Sequence, residues 1–363
     1  MTVFKKLLVP AMAATVLLGA CGNGNTEKKD QLDLNSMKIE DITKKAKEEG
    51  QVNSLGMPDT WANWKETWDD INKEYGIKHK DTDMSSAEEL AKFESEKKNA
   101  TGDIGDVGVA FGPLAVEKDL VVGYKTSYFD EIPDWAKDKD GKWVIGYTGT
   151  MAFMTDKQSV KDAPKSWEDL KNGDYKVSVG DVEKANQAQF AVLAAAYAFG
   201  GDEKNLQPGI DFFKKLAKEG RLITTDPDIA SIEKGEHQVM LLWDFNALNY
   251  RDQIKKDRFE VTIPEDKSVM SGYATVINKN AKNPHAAALT REFILSDDGQ
   301  DNLAKGYARP IRKDAKISDE AKKKLLPDVM YENVTPVKDS EAWDAALKEL
   351  PQKWQEEVSS SIK

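Results

Sequence analysis

The sequence predicts an α/β protein of two lobes, each a mixed, mainly parallel sheet flanked by helices, with a cleft between the lobes. Strand-like and helix-like segments alternate from about residue 50, a pattern typical of parallel sheets. The chain has 363 residues, more than one hydrophobic core usually supports, so two lobes are expected.

The predicted strands are short segments rich in apolar and β-branched residues. Residues 238–243 form a continuous apolar run, which is typical of a strand buried on both faces of a sheet. The longest predicted strand covers residues 143–154 and is expected to be interrupted at Gly149. The remaining strands are predicted at residues 51–56, 103–110, 176–179, 259–263 and 270–277.

Two helices are predicted from local signals. The first opens at Pro58 with Asp59 as its N-cap, and apolar residues follow at helical spacing. Its apolar stripe consists of Trp61, Trp64, Trp68, Ile71 and Tyr75, of which Trp64 and Trp68 are expected in the core. The second helix covers residues 186–199 and ends at a glycine pair. The last 80 residues are predicted to be mostly helical, with breaks at Pro310, Pro327 and Pro351.

The N-terminus has the pattern of a lipoprotein signal. Lys5 and Lys6 precede an apolar run over residues 7–18, which is too short to span a bilayer. The run ends in Leu-Gly-Ala-Cys, which resembles the lipobox of bacterial lipoproteins, where the cysteine takes a lipid and the chain is cut before it. Cys21 is the only cysteine, so an intrachain disulfide is excluded. We expect a signal peptide over residues 1–20 and a flexible tether over residues 21–37.

The charge of the chain argues against nucleic acid as a partner. The formal net charge is −11, and it becomes more negative when the two lysines of the signal peptide are removed. An acidic surface argues against nucleic-acid binding, which depends on neutralising phosphates. Contact with the membrane is expected only through the lipid on Cys21, at the outer face of the cell membrane, and the protein is expected to be a monomer without a cofactor.

Several segments together resemble a known family, the type II periplasmic or extracellular solute-binding proteins of ABC transporters. This group includes binders of polyamines, thiamine, phosphonates, sugar phosphates and ferric ion. The resemblance covers nearly all of the chain after the signal peptide and rests on the order of its segments. The matching segments are residues 145–153, 165–170, 189–201, 280–293, 306–311 and 354–358.

The resemblance implies a fold and a set of partners. Two crossings of the chain, near residues 149–155 and 264–272, would join the lobes around a solute in the cleft. The first lobe would cover residues 38–150 and 266–325, the second residues 151–265, and C-terminal helices residues 326–363. The implied function is to capture a solute and deliver it to an ABC permease and its ATPase subunit.

The candidate ligand-binding residues follow the predicted strands, because solutes in open α/β sheets bind beyond the carboxyl ends of strands. Trp243 and Asp244 suit an ammonium group through cation–π attraction and a charged hydrogen bond, although Asp244 can instead cap the next helix. Asp59 and Asp181 can likewise act as caps, and Arg309 can meet either an anionic part of the solute or an acid across the cleft. The complete set is Asp59, Trp61, Phe111, Tyr147, Thr148, Thr150, Asp181, Asn186, Trp243, Asp244, Asn246, Tyr273 and Arg309.

These residues favour an amine-bearing cation or zwitterion, such as a polyamine, thiamine or an aminophosphonate. A sugar phosphate remains open, and ferric ion is disfavoured because the adjacent tyrosine pair of ferric binders is absent. A secreted hydrolase and an adhesin are the alternative classes, but the sequence has no nucleophile elbow, zinc motif or P-loop. His79, expected at the surface, lies far along the chain from His237 and His285, so neither catalytic nor metal-binding residues are expected.

Overall fold

The computed structural model describes residues 32–362, which include one compact unit from Asp33 onward. The predicted lipobox and Cys21 lie outside the described residues. The strands are β1 Gln51–Leu55, β2 Lys78–Thr82, β3 Ile104–Gly108, β4 Val121–Val122, β5 Trp143–Asp156, β6 Val177–Ser178, β7 Leu222–Ile223, β8 Val239–Trp243, β9 Phe259–Thr262, β10 Ser268–Asn278, β11 Arg309–Pro310 and β12 Val334–Pro336.

Helices flank these strands throughout the described residues, as the sequence predicts. They are α1 Ile39–Glu49, α2 Trp64–Tyr75, α3 Ser86–Glu96, α4 Phe111–Glu117, α5 Trp167–Asn172, α6 Asn186–Ala198, α7 Gln207–Lys218, α8 Ile229–Glu233, α9 Asp244–Ile254, α10 Pro284–Leu295, α11 Asp297–Lys305, α12 Asp319–Lys324 and α13 Ser340–Glu357. None of the helices between residues 32 and 362 is both long and apolar enough to cross a membrane.

The strands form two sheets that share β5. One sheet has the order β2-β1-β3-β10-β5, with β1 parallel to both β2 and β3, and β10 antiparallel to β3 and β5. The other has the order β5-β8-β6-β7, with β6 parallel to β7 and β8, and β5 antiparallel to β8. The mixed α/β architecture predicted from the sequence is therefore confirmed.

Strand β5 joins the two sheets without a break. It pairs with β10 as far as Thr150 and with β8 from Met151 onward. The expected interruption at Gly149 is wrong, because a continuous strand is needed to carry the chain between the sheets. A Cβ at Gly149 would lie 2.5 Å from the Phe245 ring, so the glycine is required for close packing. The lobe boundaries themselves stay a prediction.

Two helix boundaries differ from the prediction. Helix α2 begins at Trp64, and its N-cap is Asn63 at φ 59° instead of Asp59. Ala62 is also left-handed, at φ 47°, so the helix cannot extend back to Asp59, which lies exposed on a turn. Helix α13 continues through Pro351, since the buried Leu350 and Trp354 attach both of its halves to the core.

The core surrounds the sheets and contains most of the large aromatic side chains. Trp64 and Trp68 are buried, as predicted. Helix α6 is buried on almost all sides, because its sequence is apolar around its whole circumference. This burial fixes the N-terminus of α6 beside the carboxyl end of β3, where the candidate site lies.

Candidate functional site

A cavity of about 270 Å³ lies where β3, β10, α3, α6 and α9 meet. Its walls come from both sheets and from their flanking helices, at the carboxyl end of β3 and the N-terminus of α6. The volume is at the lower end of the range for small-molecule sites, which favours a small solute.

Two carboxyl groups form the floor of the cavity. Glu89, on α3, is 1% exposed and Asp106, on β3, is 2% exposed. The Glu89 Oε2 accepts a hydrogen bond from the Asp106 backbone N–H at 3.1 Å. The Asp106 Oδ2 accepts one from the Tyr147 hydroxyl at 2.7 Å, and the Trp64 indole N–H also lies close to this carboxyl group. Neither carboxyl forms an ion pair within residues 32–362.

Burial controls the ionisation of this pair. It raises the pKa of Asp106 from 3.8 to about 8, a change that the hydrogen bond from Tyr147 opposes only in part. Burial and the neighbouring Asp106 raise the pKa of Glu89 well above its ordinary value. Isolated buried carboxylates are costly, so an empty site favours the protonated forms and a bound cation favours the ionised forms.

Glycines make room for the Glu89 carboxyl group. A Cβ at Gly56 would lie 2.3 Å from the Glu89 Oε1, and a Cβ at Gly105 would lie 2.5 Å from the Oε2. Gly56 is also left-handed, at φ 68°, a conformation that other residues rarely adopt. The backbone at Gly56 and at Gly105 therefore leaves the space that the Glu89 carboxyl group occupies.

Aromatic rings form one wall. The Trp61 indole N–H donates to the Tyr147 hydroxyl at 2.7 Å, and the ring meets Tyr273 edge-on at 5.4 Å between centroids. Tyr147 stacks on Tyr273 at 5.7 Å and lies behind the two rings that line the cavity. Tyr250, on α9, adds a further ring to the lining. A cation held at Asp106 would be close to this wall, where ring faces favour positive charge.

Amides form a further part of the lining, at the N-terminus of α6. Asn186 is 5% exposed, and its amide is shielded from solvent beside the Tyr273 hydroxyl. The Gln187 Oε1 accepts from the Trp243 backbone N–H at 2.8 Å and from the Asn246 Nδ2 at 3.1 Å. A Cβ at Gly108 would lie 2.6 Å from the Asn186 side chain, so β3 and α6 meet closely here.

Charges at the mouth of the cavity are mostly negative. Asp83 and Asp226 are exposed carboxylates that line it. Lys184 is the only cation among the described lining residues, and its side chain is 73% exposed and lies 3.5 Å from Asp181. The electrostatic environment therefore favours positive groups in the solute.

The structure brings some of the predicted site residues together and separates others. Trp61, Asn186, Asn246 and Tyr273 line the cavity. Tyr147 and Trp243 lie directly behind it, bonded to lining residues. The other predicted residues lie outside the lining of the cavity. Asp59 is exposed on a turn, Phe111 lines a neighbouring groove beside α13, and the Asp181 carboxylate accepts a hydrogen bond within its own loop. The remaining four lie where β5 passes between the sheets: Thr148, Thr150, Asp244 and Arg309.

Asp244, the predicted ammonium ligand, has other partners. Its Oδ1 accepts from the backbone N–H groups of Thr150 and Phe245 at 2.9 Å, and its Oδ2 accepts from the Tyr331 hydroxyl at 2.6 Å. The Arg309 guanidinium packs on the Tyr331 ring at 3.8 Å. These contacts engage both carboxylate oxygens of Asp244 beside the part of β5 that passes between the two sheets. They give no support to a contact between Asp244 and solute.

Sequence reasoning missed Glu89 and Asp106. Asp106 carried a signal, because an acid inside a short strand that is otherwise apolar or glycine is costly to bury. Glu89 carried none, since it follows a serine pair in a helix start that has the ordinary capping pattern. Its burial depends on the distant Gly56 and Gly105.

A serine, a histidine and an aspartate also meet on β1 and β2. The Ser54 Oγ lies 2.8 Å from the His79 Nε2 and donates to the Asp81 Oδ1 at 2.5 Å. The aspartate thus engages the serine and not the histidine, unlike a hydrolase triad. His79 is partly buried on the Trp68 ring and not at the surface as expected, and burial lowers its pKa to about 4. No group of residues suited to a metal ion occurs within residues 32–362.

Sulfate-binding proteins are among the curated relatives of the chain. Those of Salmonella typhimurium and Escherichia coli are 26% identical over 187 and 197 residues, or 49% and 52% of this chain. The match spans about half of the length of these relatives, 56% in each case.

Solved structures show the same fold at low sequence identity. The periplasmic binding protein AfuA from Actinobacillus pleuropneumoniae, with fructose-6-phosphate bound, is 20% identical with a TM-score of 0.71, over 85% of this chain and 98% of that chain. A periplasmic thiamin binding protein is 17% identical with a TM-score of 0.68, over 85% and 96%. The bacterial extracellular solute-binding protein family matches residues 100–335. The chain therefore belongs to this family of solute-binding proteins, which are not enzymes, as the sequence predicted.

Proposed function

We propose that the chain is the solute-binding component of an ABC importer and that it captures a small solute carrying an ammonium group. The observation that carries the proposal is the pair of buried carboxyl groups, Glu89 and Asp106, which line the cavity without a cationic partner among the described residues. An ammonium group would supply the missing partner, and the ring of Trp61 would shield it.

The energies of such contacts are sufficient for useful affinity. A hydrogen bond to a charged group contributes roughly 1.5–3 kcal/mol, and a desolvated cation–π contact about 2 kcal/mol. Micromolar binding needs about 8 kcal/mol. Contacts of one ammonium with Asp106, Glu89 and an aromatic ring, together with apolar burial, reach this level.

The cavity suits the other ligands of the fold less well. Sulfate or a sugar phosphate as a plain anion would face the exposed carboxylates Asp83 and Asp226 at the mouth, and it would supply no positive charge to Glu89 and Asp106 at the floor. Ferric ion would lack a ligand cluster within residues 32–362. A polyamine, thiamine or an aminophosphonate each carries positive charge and remains compatible with this wall chemistry.

A ligand screen tests the proposal. Putrescine, spermidine, thiamine and 2-aminoethylphosphonate are compared with sulfate, fructose-6-phosphate and ferric citrate by thermal shift. A solute at about 100 times its dissociation constant adds roughly 2.7 kcal/mol to stability, which is readily seen as a rise in melting temperature. The proposal fails if only the anions or the ferric complex raise it.

A pair of variants locates the site. Asp106→Asn keeps the shape and removes the charge, so we expect amine affinity to fall by about tenfold or more. Asp59→Asn is the matched control, because Asp59 is an exposed acid outside the lining and its loss should leave the affinity unchanged. Equal affinities of the two variants would contradict the assignment of the floor.

We also propose that Cys21 anchors the protein by lipid to the outer face of the cell membrane, where it would deliver solute to the permease. The support is the lipobox-like sequence before Cys21. Cys21→Ser should abolish labelling by a palmitate analogue and release the protein from the membrane fraction. Unchanged labelling and fractionation would exclude the anchor while leaving solute binding intact.

A further inference from the structure

Helix α9 forms hydrogen bonds that cross between the two sheets. We call β2-β1-β3-β10-β5 the first sheet and β5-β8-β6-β7 the second sheet. Helix α9 lies between β8 and β9, and both of these strands pair with the part of β5 that belongs to the second sheet. The Asn249 Nδ2 donates to the Thr60 backbone oxygen at 3.0 Å, and the Tyr307 hydroxyl donates to the Asp252 Oδ2 at 2.7 Å.

The partners of α9 in these bonds belong to the side of the first sheet. Thr60 lies in the turn that follows β1, and Tyr307 lies between α11 and β11, which pairs with β5 within the first sheet. A Cβ at Gly306 would lie 2.5 Å from the Ala62 carbonyl carbon, so the two segments pack directly on each other. They form one surface that faces α9, and we call it the rim: residues 58–63 and 306–307.

The backbone of the rim is strained. Ala62, Asn63 and Tyr307 have φ angles of 47°, 59° and 69°, in the left-handed region that residues other than glycine rarely adopt. Only two further non-glycine residues in the described part of the chain have a positive φ, Lys97 and Asp119, so the strain is concentrated at the rim. Strained backbone persists where the surrounding structure fixes it, and it clusters at functional segments. The strain therefore marks the rim as a candidate functional surface.

The bonds between α9 and the rim adjoin the cavity on both sides. Thr60 directly precedes Trp61, which lines the cavity from the rim. Asn249 directly precedes Tyr250, which lines the cavity from α9. The Trp61 ring also meets the Phe245 ring of α9 edge-on, at 5.3 Å between centroids. The distance between α9 and the rim therefore sets the distance between two aromatic groups of the lining.

Resting on the proposed function, we infer that Asn249 and Tyr307 are positioning residues, which hold α9 against the rim when solute is bound. Both lie outside the lining of the cavity, so they act without touching the solute. Their polar groups can bond to water when α9 and the rim are apart, so each bond stabilises the closed arrangement only modestly and closure stays reversible. Because apparent affinity scales with the population of the binding-competent form, each bond contributes to affinity from outside the site.

Two variants of the full chain test the inference, each with a matched control. Tyr307→Phe removes a hydroxyl that bonds across the sheets. Its control is Tyr175→Phe, which removes a hydroxyl that donates to the Asp169 backbone oxygen at 2.9 Å, on the side of the second sheet alone.

The second variant, Asn249→Ala, removes an amide that bonds across the sheets. Its control is Asn72→Ala, which removes an amide that donates to the Ile77 backbone oxygen at 3.0 Å, on the side of the first sheet alone. Putrescine, thiamine and 2-aminoethylphosphonate are the probes. Calorimetry gives their affinities, and stopped-flow tryptophan fluorescence gives the rates of association and dissociation.

We expect Tyr307→Phe and Asn249→Ala each to weaken the binding of a probe that binds the parent by about fivefold. The loss should appear as faster dissociation with an unchanged association rate, because the bonds between α9 and the rim form after the solute has entered. The two controls should lose stability to urea and keep the parental affinity and dissociation rate.

The possible failures are distinguishable. If a probe binds the parent and both variants keep the parental affinity and dissociation rate, the inference is wrong and the proposed function stands. If the controls weaken binding as much as the variants do, the bonds act only through general stability, and the inference is again wrong. If no probe binds the parent, the proposed function and the inference are both wrong.

Discussion

Proton release on amine binding is the sharpest consequence of the carboxyl floor. Burial raises the pKa of Asp106 to about 8, so at pH 7 most of the free protein carries a proton on this group. An ammonium group binds the ionised carboxylate and itself stays charged, since amines titrate near pH 10. Binding at pH 7 should therefore release about one proton from Asp106, and more if Glu89 also ionises.

The magnitude follows from linkage. Each pH unit below the pKa costs about 1.4 kcal/mol to remove the proton, so amine affinity should rise roughly tenfold from pH 6 to pH 7 and level off above pH 8. The neighbouring groups set the pH at which this rise occurs, because the Tyr147 hydroxyl donates to Asp106 and lowers its pKa, whereas the charge of Asp81 raises it. If amine binding also releases a proton from Glu89, the rise of affinity with pH should be steeper than tenfold per pH unit.

Calorimetry measures this release directly. The tightest amine of the screen is titrated in phosphate and in Tris, whose ionisation enthalpies differ, and the buffer dependence of the heat gives the number of protons. Asp106→Asn should lose about one proton from that number. The reasoning is refuted if the parent shows no buffer dependence at pH 7 and binds the amine equally well at pH 6 and pH 8.

Three further predictions concern the framework. Gly56→Ala should abolish amine binding, because its Cβ would lie 2.3 Å from the Glu89 carboxyl group. Gly50→Ala is the control, since Gly50 has a similar φ of 66° but its Cβ would have no contact closer than 3.8 Å. This control should lose only roughly 1–2 kcal/mol of stability, as measured by urea unfolding. Tyr331→Phe should cost about 1–3 kcal/mol of stability in the same assay, because it removes the hydroxyl that donates to the buried Asp244 Oδ2, and it should leave solute affinity unchanged. A loss of affinity would indicate that Asp244 does contribute to solute binding. Solution scattering should show a smaller radius of gyration with solute, and an identical profile at saturation would exclude hinge closure.

The individual residues show how far sequence reasoning reaches. Trp61 is predicted at the cleft because it follows β1, and in the structure it lines the cavity. Asp244 was predicted by the same rule, but the rule gives only the position of the backbone and not the direction of a side chain. In the structure Thr150 and Tyr331 supply its hydrogen bonds, and both are distant along the chain.

The sequence by itself determined the alternation of strands and helices, the negative net charge and the resemblance to solute-binding proteins. These depend on local periodicity and composition, which a chain carries without its partners. Only the tertiary structure decided which acids line the cavity. Glu89 and Asp106 lie 17 residues apart and meet through a backbone hydrogen bond, and Gly56 and Gly105 leave the space that buries them. The pKa of a carboxyl and the direction of its side chain depend on such neighbours in space, so they follow from packing and not from order along the chain.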